Sequence, residues 1–79
     1  MRTNYTHIEF ITSQFNLRGK PLWHCLNRKS QIVLGECTYS FAWRQWVFQP
    51  CGQTEYSSDC LQDIADFLDQ LNKEKNGEA

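Results

Sequence analysis

The sequence predicts an α+β domain in which a four-stranded antiparallel meander sheet carries one C-terminal amphipathic helix on one face. Three observations lead to this fold class. Apolar residues alternate with polar ones at a period of two in several short stretches up to residue 49. From residue 58 the apolar residues recur every three or four positions instead. A length of 79 residues is enough for a single domain, 1–79, with one small core.

The four predicted strands occupy residues 5–11, 22–26, 31–41 and 43–48, so the sheet covers about 5–49. In the first strand Ile8 and Phe10 lie on one side at period two. A turn is expected at residues 18–21, where Gly19 tolerates positive φ. Gly35 interrupts the third strand and indicates a bulge or a close backbone approach. Because the connections are short, consecutive strands are expected to pair antiparallel.

The predicted helix covers about residues 58–72 and is followed by a frayed tail at 73–79. Ser57 is a suitable N-cap because its hydroxyl can accept a hydrogen bond from a free amide of the first turn. Tyr56 and Leu61 stand where a hydrophobic staple would join the start of the helix. The predicted apolar side of the helix consists of Cys60, Leu61, Ile64, Phe67, Leu68 and Leu71.

Charge is distributed unevenly along a chain whose formal net charge is -1. Residues 1–50 carry six basic and two acidic side chains, whereas residues 51–79 carry two basic and seven acidic ones. The length excludes doubly wound dinucleotide-binding folds and barrel enzymes. No apolar run reaches the length of a signal peptide or a membrane span. We therefore expect a cytoplasmic protein with no membrane partner and with free thiols, two disulfides being the lesser alternative.

The spacing of the four cysteines argues against a metal site. Cys25, Cys37, Cys51 and Cys60 are 12, 14 and 9 positions apart, whereas structural zinc sites bring Cys ligands in pairs two to four residues apart. The spacing favours cysteines that act as small core hydrophobes. His24 is adjacent to Cys25, but adjacent strand residues face opposite sides of a sheet and cannot form a catalytic pair. We expect no metal, no cofactor, no catalytic residue and no enzyme activity.

The strands carry apolar side chains on both sides, although one helix covers only one sheet face. Trp43 and Trp46, three positions apart, are predicted to lie on opposite faces, and the sequence leaves open which of the two the helix covers. Either this surface is closed internally, by residues 12–17 folding over the second face or by strong curling of the sheet, or the second face binds a partner through its aromatic side chains. In the second case the predicted binding residues are Arg44, Trp46 and Tyr39 on this face, with Arg28 and Lys29 on a hairpin tip.

Three kinds of partner fit such a face. The first is a host protein, and the second is another copy of the chain in a homodimer. The alternative is single-stranded nucleic acid, because aromatic side chains interleaved with Arg and Lys can stack bases while the cations hold phosphates. In each case Trp46→Ala and Arg44→Ala are predicted to weaken binding and to leave the melting temperature nearly unchanged.

A resemblance adds a biological context to this prediction. The pieces that carry it are Trp23-x-Cys25-x-Asn27, Leu34-Gly35, the block at residues 43–50, and Cys60-Leu61-x-x-Ile64-x-x-Phe67. On these pieces the stretch from residue 22 to 71 resembles a group of small bacteriophage and prophage proteins that has no assigned activity. The resemblance implies a phage accessory protein that acts inside a bacterium by binding a host factor. It transfers no catalytic residue.

Overall fold

The structure is a computed structural model that describes residues 1–17 and 20–77, with side-chain environments for residues 1–12 and 21–74. Its elements are β1 (Ile8–Leu17), β2 (Lys20–Asn27), β3 (Val33–Ser40), β4 (Gln45–Pro50) and α1 (Ser58–Gly77). The strands pair in the order β1-β2-β3-β4, each antiparallel to the next. The helix packs on one face of this sheet. The predicted α+β meander with one C-terminal helix is confirmed.

Several element boundaries differ from the prediction, and two of them have a backbone cause. Gln31 has a φ of 65° and Arg44 a φ of 58°, a left-handed conformation that interrupts an extended strand. For this reason β3 and β4 each begin two residues later than predicted. The helix continues to Gly77, past the predicted end at residue 72. The predicted turn at residues 18–21 includes Arg18 and Gly19, which lie outside the described residues.

The segment before β1 folds back along the outer edge of that strand. The Tyr5 amide donates to the Ile8 carbonyl, and the Phe10 amide donates to the Thr3 carbonyl, both at 2.9 Å. The Tyr5 side chain is buried, and its hydroxyl donates to a carboxylate oxygen of Asp66 in α1 at 2.7 Å. Tyr5 therefore belongs to the core but precedes the first strand, which the prediction began at residue 5.

The start of the helix is held by a cap and by one aromatic side chain. The Ser57 hydroxyl accepts a hydrogen bond from the Cys60 amide at 3.2 Å, which confirms the predicted N-cap. Tyr56 contacts the sheet, with its ring edge-on to Phe48 at a centroid distance of 5.6 Å. Leu61 is half exposed rather than part of the buried side of the helix. Tyr56 therefore anchors the start of the helix to the sheet, and the prediction of Leu61 as an apolar-face residue was wrong.

The core lies between α1 and one sheet face. Phe67 is its centre: the ring stacks on Phe10 at a centroid distance of 4.0 Å and meets the edge of Trp23 at 5.1 Å. Contacts of both kinds stabilise beyond the area they bury. The buried members of the core are Tyr5, Ile8, Phe10, Cys25, Cys37, Trp46, Ile64, Phe67 and Leu71.

Gly35 occupies a position where β3 is irregular and crowded. Cys25 of β2 pairs with Gly35, but the next residue pairs with Val33, so Leu34 is the extra residue of a bulge. A Cβ at Gly35 would lie 2.8 Å from the Gln49 carbonyl oxygen and would overlap the ring of Phe48. Both predicted features, the bulge and the close approach, are confirmed.

The cross-strand register determines which side chains share a face. On the covered face Phe10, Cys25 and Gly35 form one row, Thr12, Trp23, Cys37 and Phe48 a second, and Tyr39 and Trp46 a third. The open face carries Ile11, His24, Glu36 and Gln49 in one row, with Glu9 beside Leu26 and Thr38 beside Val47. Among its described side chains there is no Phe, Tyr or Trp, so the predicted aromatic face away from the helix was wrong. Covering this face would bury the polar groups of Glu9, His24 and Glu36, which is costly.

Candidate binding surface

The β3–β4 hairpin ends in a loop, residues 41–44, that we call the aromatic tip. Trp43 is 72% exposed and Phe41 is 43% exposed. The loop is held from within, because the Ser40 hydroxyl accepts a hydrogen bond from the Trp43 amide at 3.1 Å. Arg44 closes it in the left-handed conformation, which an arginine adopts uncommonly. The tip therefore presents a large apolar side chain to solvent at a defined place.

A groove, which we call the β4 groove, runs from Trp43 between β4 and α1. Its volume is about 320 Å³. Trp46 is buried in its floor beside the half-buried Phe48 and Leu68. The lining residues are Trp43, Gln45, Trp46, Val47, Phe48, Ala65, Leu68, Asp69 and Asn72. The exposed indole of Trp43 thus lies at one end of the β4 groove, whose lining is mainly apolar.

The polar groups along the groove are few. Asn72 is occupied, because its side-chain oxygen accepts from the Trp46 amide at 2.8 Å. Asp69 is exposed and makes no hydrogen bond or ion pair within the described part of the chain. The groove therefore combines apolar walls with one carboxylate that is available to a ligand.

The edge of β4 is poorly suited to pairing with another strand. Trp46 directs its amide away from β3 toward Asn72, and alternate residues of an antiparallel strand direct their backbone groups the same way. Phe48 and Pro50 therefore also face the open edge. Since Pro50 has no amide hydrogen, the Phe48 amide is the one donor that β4 leaves on that edge. The edge therefore offers a second strand one amide donor.

The predicted binding residues do not lie together on one exposed surface. Arg44 lies at the aromatic tip and is exposed, whereas Trp46 is 6% exposed in the core. Tyr39 is half buried, and its ring is edge-on to Trp46 at a centroid distance of 5.9 Å. The prediction grouped these two rings correctly, but the register places both on the helix-covered face. Arg28 and Lys29 follow β2, at the opposite end of β3 from the tip.

The prediction chose Trp46 as a binding residue on the open face and left open which of Trp43 and Trp46 is core. The placement of Trp46 on the open face was wrong, because Trp46 is core and Trp43 is exposed. The sequence places the two residues on opposite sides of one strand but does not indicate which side the helix covers. Trp43 also lies outside β4, in the loop before it. The sequence feature that came nearest to indicating the covered face was the alternation in β2, β3 and β4 taken together. Trp23, Cys37 and Trp46 lie on the same face only when these strands pair in the observed register.

The chemistry of the thiols is set by burial. Burial raises the pKa of Cys25 to about 12, and the nearby Cys60 adds a smaller contribution. Burial likewise raises the pKa of Cys37 far above its ordinary value. Both thiols are therefore protonated at neutral pH, although the thiolate is the form that attacks a substrate. His24 faces Glu36 instead of a thiol, with Nδ1 3.6 Å from the carboxylate oxygen.

Within the described residues, no three His, Cys, Asp or Glu side chains are grouped so that they could hold a metal ion. No helix in this part of the chain is both long and apolar enough to cross a membrane. No protein-family model, curated protein sequence or solved structure matches the chain.

Proposed function

We propose that this chain is a non-enzymatic binding protein of the phage accessory type, which docks a host protein in the bacterial cytoplasm on its aromatic tip and β4 groove. One observation carries the proposal: Trp43 is 72% exposed at the end of an apolar groove. A partner that covers both the exposed indole and the β4 groove removes the apolar surface of both from water, which is favourable. Tryptophan is also among the residue types that contribute most binding energy at protein interfaces.

The groove favours a partner segment that is apolar and basic. Its walls offer apolar contact from Phe48, Ala65 and Leu68, and its free carboxylate is Asp69. A Lys or Arg beside an apolar side chain of the partner would pair with Asp69 while the apolar group contacts Trp43. Because β4 leaves one amide donor on its edge, this segment docks through side chains and does not extend the sheet.

Single-stranded nucleic acid is the weaker candidate. Base stacking needs several accessible aromatic rings along one surface. In this fold Trp23, Trp46 and Phe48 pack against the helix or its contacts and are not available as a stacking platform. The carboxylate of Asp69 in the groove also opposes a phosphate backbone. The geometry therefore favours a protein partner.

A pull-down from bacterial lysate with matched variants tests the proposal. Trp43→Ala should weaken capture of the partner at least about thirtyfold, the loss expected for a central interface residue. Asp69→Asn removes the charge without changing the shape of the side chain, and it should weaken capture to a smaller extent. Leu61→Ala is the matched control, because Leu61 is 52% exposed but does not line the groove.

The proposal is overturned if Trp43→Ala captures the same proteins as the parent chain, or if Leu61→Ala loses them equally. Nuclease treatment of the lysate separates the partner classes, since loss of capture on nuclease treatment would point to nucleic acid. Sedimentation of the purified chain tests whether the partner is a second copy of the chain. A dimer that dissociates on Trp43→Ala would show that the occupant of the groove is a second copy and not a host protein.

A further inference from the structure

A second pocket lies at the end of the sheet opposite to the aromatic tip, where the loop before β1 meets the turn after β2. Thr6 and His7 form one wall, and Asn27, Arg28 and Lys29 form the other. Its volume is about 510 Å³, within the range of small-molecule sites. We call it the donor pocket, because of how its hydrogen-bonding groups are used.

The acceptors around this pocket are largely occupied by the protein itself. The Tyr5 carbonyl accepts from the Arg28 guanidinium at 2.7 Å, and the His7 carbonyl accepts from the Arg28 amide at 3.0 Å. The side-chain oxygen of Asn27 accepts from two amides of the turn, at 2.9 and 3.0 Å. These bonds also orient the guanidinium, because one arm of it is tied to the backbone of the opposite loop.

The donors of the same residues are largely unused. The ammonium of Lys29, the side-chain amide nitrogen of Asn27 and the ring of His7 make no hydrogen bond among the described residues. The Arg28 guanidinium uses one nitrogen for Tyr5 and keeps further N–H groups. A pocket whose acceptors are occupied and whose donors are free, with one guanidinium held in place and one ammonium beside it, is suited to an anion.

The surrounding charges limit the size of that anion. No carboxylate lines the donor pocket, but Asp59 and Asp63 line the adjacent cleft, together with Thr6 and His7. A long polyanion such as a nucleic-acid strand would pass these carboxylates and be repelled, whereas a compact anion would contact only the donors. The planar fork of Arg matches the oxygens of a phosphate group, and Lys binds phosphate as a compact point charge.

We propose that the donor pocket binds the phosphate group of a small phosphomonoester. The Arg28 guanidinium and the Lys29 ammonium contact the phosphate oxygens, and Asn27 and His7 donate to those that remain. The pocket is larger than a phosphate group, which leaves room for the organic part of the ligand. This site is independent of the β4 groove, since the two share no lining residue.

The test is a titration of the ¹⁵N-labelled chain with inorganic phosphate, followed by NMR, against sodium chloride at equal ionic strength. Phosphate should shift the amides of Thr6, His7 and Lys29 along saturating curves, and chloride should not. Lys29→Gln should weaken phosphate binding roughly fivefold or more, because it removes one charge-assisted hydrogen bond. Lys73→Gln is the control: it makes the same change at an exposed helix position outside the pocket.

Three results would overturn the proposal. In the first, phosphate and chloride cause the same non-saturating shifts. In the second, Lys29→Gln and Lys73→Gln change phosphate affinity equally, which would indicate a general charge effect. In the third, a single-stranded oligonucleotide binds the pocket more tightly than phosphate does. Because Lys29 is exposed, its replacement leaves the fold intact and the comparison measurable.

Discussion

Trp43 and Trp46 are three positions apart, and replacing each by alanine is expected to have opposite effects on stability and on binding. Trp46 is 6% exposed and contacts the core, whereas Trp43 is 72% exposed. Truncating a buried tryptophan removes its transfer free energy and leaves a cavity, at a cost of about 3–5 kcal/mol. Truncating an exposed one usually changes the free energy of unfolding by less than about 0.5 kcal/mol.

These costs are large compared with the stability available to 79 residues. A chain of this length has a free energy of unfolding of roughly 4–12 kcal/mol. Trp46→Ala should therefore lower the melting temperature by at least about 12 °C, since each kcal/mol shifts it by about 4–8 °C in a domain of this size. Trp43→Ala should leave it nearly unchanged. The sequence alone predicted an unchanged melting temperature for Trp46→Ala, and burial of Trp46 reverses that expectation.

Urea unfolding followed by far-ultraviolet circular dichroism measures both variants on one scale. If Trp46→Ala is unfolded without denaturant, Trp46→Phe fills part of the cavity and should give a smaller, measurable loss. The reasoning is refuted if Trp46→Ala costs less than about 1 kcal/mol, or if Trp43→Ala costs as much as Trp46→Ala. Either result would contradict the assignment of Trp46 to the core and of Trp43 to solvent.

Three further predictions concern Gly35 and the cysteines. Gly35→Ala should lower the free energy of unfolding, measured in urea, by about 1–3 kcal/mol, because the new methyl group meets the ring of Phe48 and the backbone of Gln49. Adding Phe48→Leu should recover part of this loss. If nothing is recovered, the contact between residue 35 and the Phe48 ring is contradicted. In the native chain a thiol reagent at neutral pH should modify the exposed Cys51, whereas Cys25 and Cys37 should react only after unfolding. Burial raises the pKa of Cys25 from 9.0 to about 12, and it also raises the pKa of Cys37. The folded chain therefore keeps both thiols protonated at a pH where the unfolded chain loses these protons. The resulting stabilisation is complete below about pH 9 and is lost as the pH rises toward 12. The slope should be roughly 1.4 kcal/mol per pH unit for each thiol, and a free energy of unfolding that is flat from pH 9 to 11 would contradict it.

The elements of the fold could be predicted from local patterns. Each strand alternates at period two and the helix repeats at 3.6, and both signals come from neighbouring residues alone. The same is true of the Ser57 cap, which uses a hydroxyl and an amide three residues away. At Gly35 a missing side chain in an apolar strand was sufficient to indicate the irregularity.

The candidate binding surface could not be predicted in the same way. Alternation shows that Trp46 and Val47 face opposite sides, but it does not show which of them shares a side with Cys37. That depends on the register between strands. The bulge at Leu34 adds a second uncertainty: Val33 and Cys37 have the same parity in the sequence, yet Val33 is exposed beside Leu26 while Cys37 is buried.

The sequence by itself determined the α+β class, the order of the elements and the start of the helix, because local periodicity and capping depend on neighbouring residues. Only the tertiary structure decided which sheet face is covered, and with it that Trp46 is core and Trp43 is exposed. It also decided that the carbonyls near Arg28 are occupied while the donors around them are free. The physical reason is common to these cases: face, exposure and hydrogen-bond use are set when distant segments meet. The helix covers the face opposite to Glu9 and Glu36, whose charged side chains stay partly exposed.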